Sequence, residues 1–120
     1  MEIRFKLLFP TGYSVDDICE NGNIDAHIIL DNGNVYAATF ITPTNIMSLM
    51  DNCEYLDERN YLYIADMIIV RDLKLSSMKE AVSYLIKWEK LNVACEKIAE
   101  RASKYSEYEN FDSFDSNDIK

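Results

Sequence analysis

The sequence is poor in the residues that make tight turns and in those that build enzyme sites. Its 120 residues include three glycines, two prolines and one histidine. Few glycines and prolines indicate long regular elements rather than many tight turns. Three isolated glycines also exclude a glycine-rich loop that binds phosphate. A chain of this length suits one domain, so we expect a single domain without a nucleotide-binding loop.

Cysteine and histidine are too sparse to form a recognisable site. Cys19, Cys53 and Cys95 are odd in number, lie far apart and form no C-x-x-C motif, so we expect three reduced thiols in a cytoplasmic protein. His27 lies beside Asp25, but one histidine with scattered cysteines is not a nucleophile–base signature or a metal-ligand set. We therefore expect a protein without catalytic residues, metal or cofactor.

Positive charge is missing from almost half of the chain. No lysine or arginine occurs from Leu7 to Glu58, whereas residues 71–104 carry eight bases against five acids. The carboxylates of the first stretch are Asp16, Asp17, Glu20, Asp25, Asp31, Asp51, Glu54, Asp57 and Glu58. Such a surface repels nucleic acid, which needs clustered bases, and attracts a cationic partner. The alternative is that the acidic residues only keep the protein in solution.

Long hydrophobic runs are also absent. Charged residues interrupt the first ten positions, which is wrong for a signal peptide. The uncharged stretch Asn32–Met50 contains Asn, Thr, Gly and Pro, so it is not a membrane span. These patterns predict a cytoplasmic protein with no membrane contact.

Alternating and continuous apolar segments predict the sheet. Residues 2–9 alternate as a half-buried strand. Residues 24–30 and 35–41 form two strands joined by Asp31-Asn32-Gly33-Asn34, in which Asn-Gly is the strongest short hairpin signal because both central positions need positive φ. Thr42-Pro43 then provides a helix N-cap followed by proline at the first helical position.

The second half predicts a central strand followed by helix. Residues 60–70 are apolar on both faces, which is typical of a central strand. Ser77 and Glu80 match a capping box, and the helix that follows is bent or broken near Asn92.

The order β-β-β-α-β-α predicts an α+β two-layer sandwich. In it, a four-stranded, mainly antiparallel sheet carries helices on one face. We assign residues 1–104 to this single domain and residues 105–120 to an acidic aromatic tail, flexible or ordered against a partner or the sheet.

Asp66 is the one acid within the apolar 60–70 segment. A buried, unpaired carboxylate is costly, so Asp66 must be exposed, protonated or paired. Pairing with Arg4 or Lys6 of the first strand is one prediction. Display of the acid to a basic partner is the other.

Two segments carry a family resemblance: Val35-Tyr-Ala-Ala-Thr-Phe-Ile-Thr-Pro-Thr-Asn-Ile46 and Tyr61-Leu-Tyr-Ile-Ala-Asp-Met-Ile-Ile-Val-Arg-Asp-Leu73. They resemble short bacterial cytoplasmic immunity proteins of polymorphic toxin systems, including contact-dependent growth inhibition. The resemblance covers about residues 1–90, and no binding residue is carried over from it. It implies a protein that binds and blocks the toxic domain of its own strain's effector, often a nuclease with a basic active site.

The sequence thus predicts a non-enzymatic immunity protein whose partner is a cognate, cationic toxin domain. The alternative is a structural or adaptor module that self-associates into a homo-oligomer. Candidate partner-binding residues lie on the early acidic loop and before and within the 60–70 strand: Asp16, Asp17, Glu20, Asp57, Glu58, Tyr61, Tyr63 and Asp66.

Overall fold

The computed structural model describes residues 3–10, 20–51 and 63–99. Its elements are β1 (Phe5–Leu8), β2 (Asn23–Leu30), β3 (Val35–Ile41), α1 (Pro43–Asp51), β4 (Met67–Ile69), α2 (Leu75–Lys87), α3 (Leu91–Ala94) and β5 (Glu96–Ala99). The α+β class and a mainly antiparallel sheet with helices are confirmed, and the sheet has five strands in place of four. The predicted tail, residues 105–120, lies outside the described residues.

The first three strands form an antiparallel meander. β1 pairs with β2, and β2 pairs with β3 through the predicted hairpin. Gly33 has φ of 92°, and its N–H donates to the Leu30 carbonyl at 2.9 Å. Leu30 N–H donates to the Asn34 carbonyl at 2.9 Å, so three residues form the loop, and among them only Gly33 has positive φ. The hairpin at residues 31–34 is confirmed, but the positive φ expected at Asn32 is not observed.

β3 is the central strand of the sheet. One edge of β3 pairs with β2, while the other edge is shared by two short strands. β4 runs parallel to it along Thr39–Ile41, and β5 runs antiparallel along Val35–Ala37. The prediction of a central strand at residues 60–70 is therefore wrong: the described part of that segment forms only the three-residue β4, at the sheet edge.

The junction between β3 and α1 forms as predicted. Pro43 opens the helix, and the fully buried Thr42 lies just before it. The Thr42 Oγ1 accepts hydrogen bonds from the N–H groups of Gly22 at 3.1 Å and Asn45 at 3.3 Å. Thr42 therefore caps α1 and also ties it to the segment that enters β2.

The core lies between one face of the sheet and α2. Even-numbered residues of β2 and β3, such as Ile28 and Phe40, pack with Leu7 of β1 and with Met78 and Val82 of α2. The spacing of Met78 and Val82 by four places both on one face of the helix. α1 contributes no fully buried residue, so the main core depends on α2.

The start of α2 differs from its prediction. The helix begins at Leu75, two residues before Ser77, and its N-cap Lys74 makes no side-chain capping bond. The Ser77 hydroxyl instead donates to the buried Asp72 Oδ1 at 2.7 Å, and Lys74 N–H donates to the same oxygen at 3.0 Å. The capping box of Ser77 and Glu80 is wrong, and Asp72 supplies the acceptor at this end.

The pH dependence of stability should report the Asp72 bonds. Hydrogen bonds from Ser77 and from Lys74 N–H lower the pKa of Asp72 below its usual 3.8. Because the pKa of Asp72 is lower in the folded state than in the unfolded state, its carboxylate stabilises the fold at pH values above the unfolded pKa. This stabilisation is lost as the pH falls through the folded pKa. We expect the difference in unfolding free energy between the protein and Asp72→Asn to be constant from pH 7 to 5. This difference in unfolding free energy, measured by urea titrations, should decrease below pH 3.8. A difference that stays constant to pH 2.5 would contradict this origin.

The chain after α2 forms neither a bent helix nor a second long one. α2 ends at Lys87, α3 is one turn long, and Glu96–Ala99 joins the sheet as β5. The helix breaks at residues 88–90, earlier than the predicted position near Asn92, which itself lies in α3, and the predicted helical continuation is wrong. Among the described residues, no helix is long and apolar enough to cross a lipid bilayer.

Candidate protein-binding surface

The structure describes three of the eight predicted partner-binding residues. Asp16, Asp17, Asp57, Glu58 and Tyr61 lie outside the described residues.

Among the remaining three, Glu20 and Tyr63 are exposed and Asp66 is half-buried. Tyr63 is 82% exposed, an unusual state for a large aromatic ring. Glu20 directly precedes a network of exposed side-chain amides: Asn45 Nδ2 donates to Asn21 Oδ1 at 3.0 Å, and Asn23 Nδ2 donates to Asn45 Oδ1 at 2.7 Å. This network holds the segment after Glu20 against α1.

Asp66 has a structural role that the sequence did not indicate. It lies in the turn before β4 with φ of 58°, and its carbonyl accepts from Thr39 N–H at 2.9 Å. Its Oδ1 accepts from Glu96 N–H at 3.0 Å, which joins the starts of β4 and β5. Pairing with β1 is wrong, because β2 and β3 separate β1 from β4 and Arg4 pairs with Asp31 at 3.7 Å.

Three substitutions at Asp66 should separate its side-chain acceptor from its backbone conformation. Alanine loses the acceptor and resists positive φ, so we expect a loss of about 2 kcal/mol of unfolding free energy. Asparagine keeps an oxygen acceptor and tolerates positive φ, so its cost should stay below about 1 kcal/mol. Glycine should fall between them. Chemical denaturation of the three variants measures this order, and equal losses for alanine and asparagine would contradict it.

The face of the sheet opposite α2 carries acidic and apolar side chains, and Lys6 of β1 lies on the same side, in register with Ile29. Odd-numbered residues of β2 and β3 point to this side, and the pairing of β4 and β5 adds residues from both. Three of these odd-numbered residues, Ile29, Val35 and Ile41, are fully buried, so this side is only partly open. We call it the second face and define it by six residues: Asp25, His27, Thr39, Met67, Ile69 and Glu96. Asp25, Ile69 and Glu96 are exposed, and the other three are half-buried.

The two carboxylates of the second face are well separated. Asp25 Oδ1 accepts from Thr39 Oγ1 at 2.9 Å, which holds the carboxylate of this β2 residue against the central strand β3. Glu96 pairs with Ala37, two residues and two strand spacings away, so the two positions lie about 12 Å apart. Within the described ranges no group of acids, histidines and cysteines is suited to hold a metal ion. This spacing suits separate cationic groups on a large partner.

Apolar groups share the second face with these acids. Ile69 is 56% exposed, and the half-buried Met67 lies in register with Thr39. Exposed apolar residues beside charges are typical of protein interfaces, where a few large side chains provide most of the affinity. Sequence reasoning missed Ile69 and Glu96 because it placed one in a buried strand and the other in a helix. The alternation of β2 did place Asp25 on this face.

The thiol of Cys95 and the imidazole of His27 are buried and half-buried, respectively, within the fold. Cys95 is buried and free, and burial together with the Asp66 carboxylate raises its pKa to about 11. The thiol is therefore protonated near neutral pH and a poor nucleophile. His27 is half-buried in β2, with Leu8 and Ala37 as its cross-strand partners.

Positive side chains of α2 lie away from the second face. α2 packs on the opposite face of the sheet, and Lys87 Nζ lies 5.6 Å from the centre of the Trp88 ring. The charges do not divide cleanly between the two sides, because Lys6 of β1 shares the second face and Glu80 lies on α2. A scan against protein-family models, a search of curated proteins and a search of solved structures each gave no match.

Proposed function

We propose that this protein is a bacterial immunity protein that acts in the cytoplasm and binds a cognate, cationic toxin domain without catalysis. The observation that carries the proposal is the second face, which presents the Asp25 and Glu96 carboxylates and the exposed Ile69, each about 12–13 Å from the others by register. The sequence resemblance to immunity proteins supports the same function. A basic nuclease is the favoured class of toxin, because acids on an inhibitor match groups that hold phosphate.

The size of the second face indicates that loops contribute to binding. A full sheet face four strands wide and seven residues long spans about 440 Å² at ordinary strand spacings. The exposed part of the second face is smaller, because Ile29, Val35 and Ile41 are fully buried. A stable interface takes about 800 Å² from each partner. Residues outside this face must supply the remainder, and the exposed Glu20 and Tyr63 lie in the segments that precede β2 and β4.

The charge of the surface predicts how association should respond to salt. Exposed charges that attract a partner raise the association rate, and salt screens them over about 8 Å at physiological ionic strength. The association rate with a cationic toxin should therefore fall as salt rises. The dissociation rate should depend more on the buried apolar contacts.

Gel filtration with a defined partner tests the proposal. The partner is the C-terminal domain of a large secreted protein, where the gene for such a protein directly precedes this one. The two proteins mixed at micromolar concentration should elute together, and the toxin's activity should be lost in the complex. Separate elution with undiminished toxic activity would contradict the proposal.

Self-association is the second candidate, favoured by exposed aromatic rings on α2. Tyr84 is 61% and Trp88 56% exposed, with ring centres 6.3 Å apart. Such rings are frequent anchors of interfaces. The protein run alone on the same column distinguishes the two functions. Elution at the mass of a monomer would exclude self-association, and elution at the mass of a dimer would support it.

A further inference from the structure

A cleft of about 260 Å³ lies between the β2–β3 turn and the C-terminal end of α2. It is on the side of the sheet that α2 covers, so it is separate from the second face. Its apolar lining includes Leu85, Ile86 and Leu91, and three asparagine side chains contribute amide groups: Asn32, Asn34 and Asn92. Small-molecule pockets usually measure about 300–1,000 Å³, so this cleft suits a single side chain or a fragment of that size.

The polar groups of the cleft are ordered by internal hydrogen bonds. The nearly buried Tyr36 donates its hydroxyl hydrogen to Asn92 Oδ1 at 2.7 Å, which leaves the phenolic oxygen as an acceptor. Asn32 Oδ1 accepts from Asn34 N–H at 2.9 Å and is thereby fixed within the turn. Glu89 is the one charged residue among those that line the described cleft.

Glu89 is unfavourable for stability in two ways. Lys90 N–H donates to the Leu85 carbonyl at 2.7 Å and Glu89 N–H donates to the Ile86 carbonyl at 3.1 Å, which is a Schellman motif. Glu89 occupies the position that glycine normally fills and has φ of 55°. A carboxylate at a helix C-terminus is also repelled by the helix dipole. A residue that breaks two local rules at the rim of a cleft indicates a role in binding.

We propose that this cleft binds a guanidinium or primary ammonium group on an aliphatic stem. The Glu89 carboxylate and the negative end of α2 favour a cation, and no lysine or arginine lines the cleft. The apolar lining takes the stem, as it does for the methylene groups of lysine and arginine. Two sources share this chemistry: a side chain of a partner protein and a free alkyl amine or guanidine.

Titrations followed by NMR of the asparagine side-chain amides test the cleft. The probes are n-butylguanidinium, the capped peptide acetyl-Gly-Arg-Gly-amide and the neutral n-butylurea. At least one of the two cationic probes should shift the amides of Asn32, Asn34 and Asn92 with saturation, and butylurea should not. Tighter binding of the peptide assigns the site to protein side chains, and equal or tighter binding of butylguanidinium assigns it to small cations. Absence of saturation with both cations would overturn the proposal.

Variants at Glu89 separate binding from folding. Glu89→Gln should lower the affinity for the cation about fivefold, which is the effect expected for an exposed ion pair. Glu89→Gly should lower the affinity for the cation by a similar factor. It should also stabilise the fold and lower the unfolding equilibrium constant about two- to fivefold, because glycine adopts positive φ without strain. Glu80→Gln, an exposed change on the same helix, should leave binding unchanged. Wild-type affinity in Glu89→Gln would overturn the proposal. Because no toxin is used, the outcome is independent of the proposed function.

Discussion

Replacing Phe40 by alanine is expected to lower the free energy of unfolding by about 3–5 kcal/mol. Phe40 is fully buried in the central strand β3. Its cross-strand partners are Ile24 on one side and Ile68 on the other, and it belongs to the core that α2 covers. Truncation removes a large apolar side chain and leaves a cavity that strands paired on both sides cannot close.

Urea unfolding of Phe40→Ala and Phe40→Leu measures this effect. Domains of this size are stable by about 5–15 kcal/mol, so the alanine variant should be partly unfolded or close to it. The leucine variant keeps most of the volume and should remain folded with a smaller loss. Met47→Ala is the control, because Met47 is 58% exposed and its loss should stay within about 0.5 kcal/mol. Equal losses for Phe40→Ala and Met47→Ala would contradict the assignment of the core.

Reversing both carboxylates of the second face is expected to weaken toxin binding about 100-fold or more. Asp25→Lys with Glu96→Lys would place two positive charges against a cationic partner, and like charges across an interface cost several kcal/mol. The two sites lie about 12 Å apart, so their effects should add. The loss should be larger at low salt, since screening weakens repulsion. Calorimetric titration at two salt concentrations measures both effects.

A matched pair of single variants controls for net charge. Glu96→Lys and Glu80→Lys each change the charge by two, and both glutamates are exposed. Glu96 lies on the second face, whereas Glu80 lies on α2. We expect a clear loss of affinity for Glu96→Lys and little change for Glu80→Lys. Equal losses would show that overall charge, and not this face, determines binding.

Local patterns predicted the parts of the fold that local chemistry determines. The Asn32-Gly33 hairpin and the Thr42-Pro43 helix start depend on residues next to one another, and both formed. The alternation of β1 likewise assigned its buried Leu7. These elements rest on turn geometry, capping and two-residue periodicity, which a sequence shows directly.

Long-range pairing was not accessible in the same way. β5 reads as helix because Ala94 and Ile98 have helical spacing, and its pairing with β3 joins residues about sixty positions apart. β4 reads as central because it is apolar on both sides, although only Ile68 packs into the core and Ile69 is exposed. The position of Glu96 on the second face follows from β5, so that part of the site was missed with the strand.

Asp66 shows how a functional interpretation can conceal a structural one. An acid among apolar residues was read as an ion-pair partner or as a group displayed to a basic protein. Its carboxylate instead accepts a backbone hydrogen bond, and its positive φ makes the turn before β4. Neither feature has a local signature, since aspartate is only one of the residues that tolerate this conformation.

Methyl NMR of the complex with the toxin domain tests the central claim most directly. The protein would carry labelled isoleucine and methionine methyl groups, which report Ile69 and Met67 on the second face and the buried Met78 of α2. The account predicts that the methyl signals of Ile69 and Met67 shift on binding, whereas the signal of Met78 does not change. Unchanged signals from Ile69 and Met67 in a saturated complex would show that the toxin binds elsewhere.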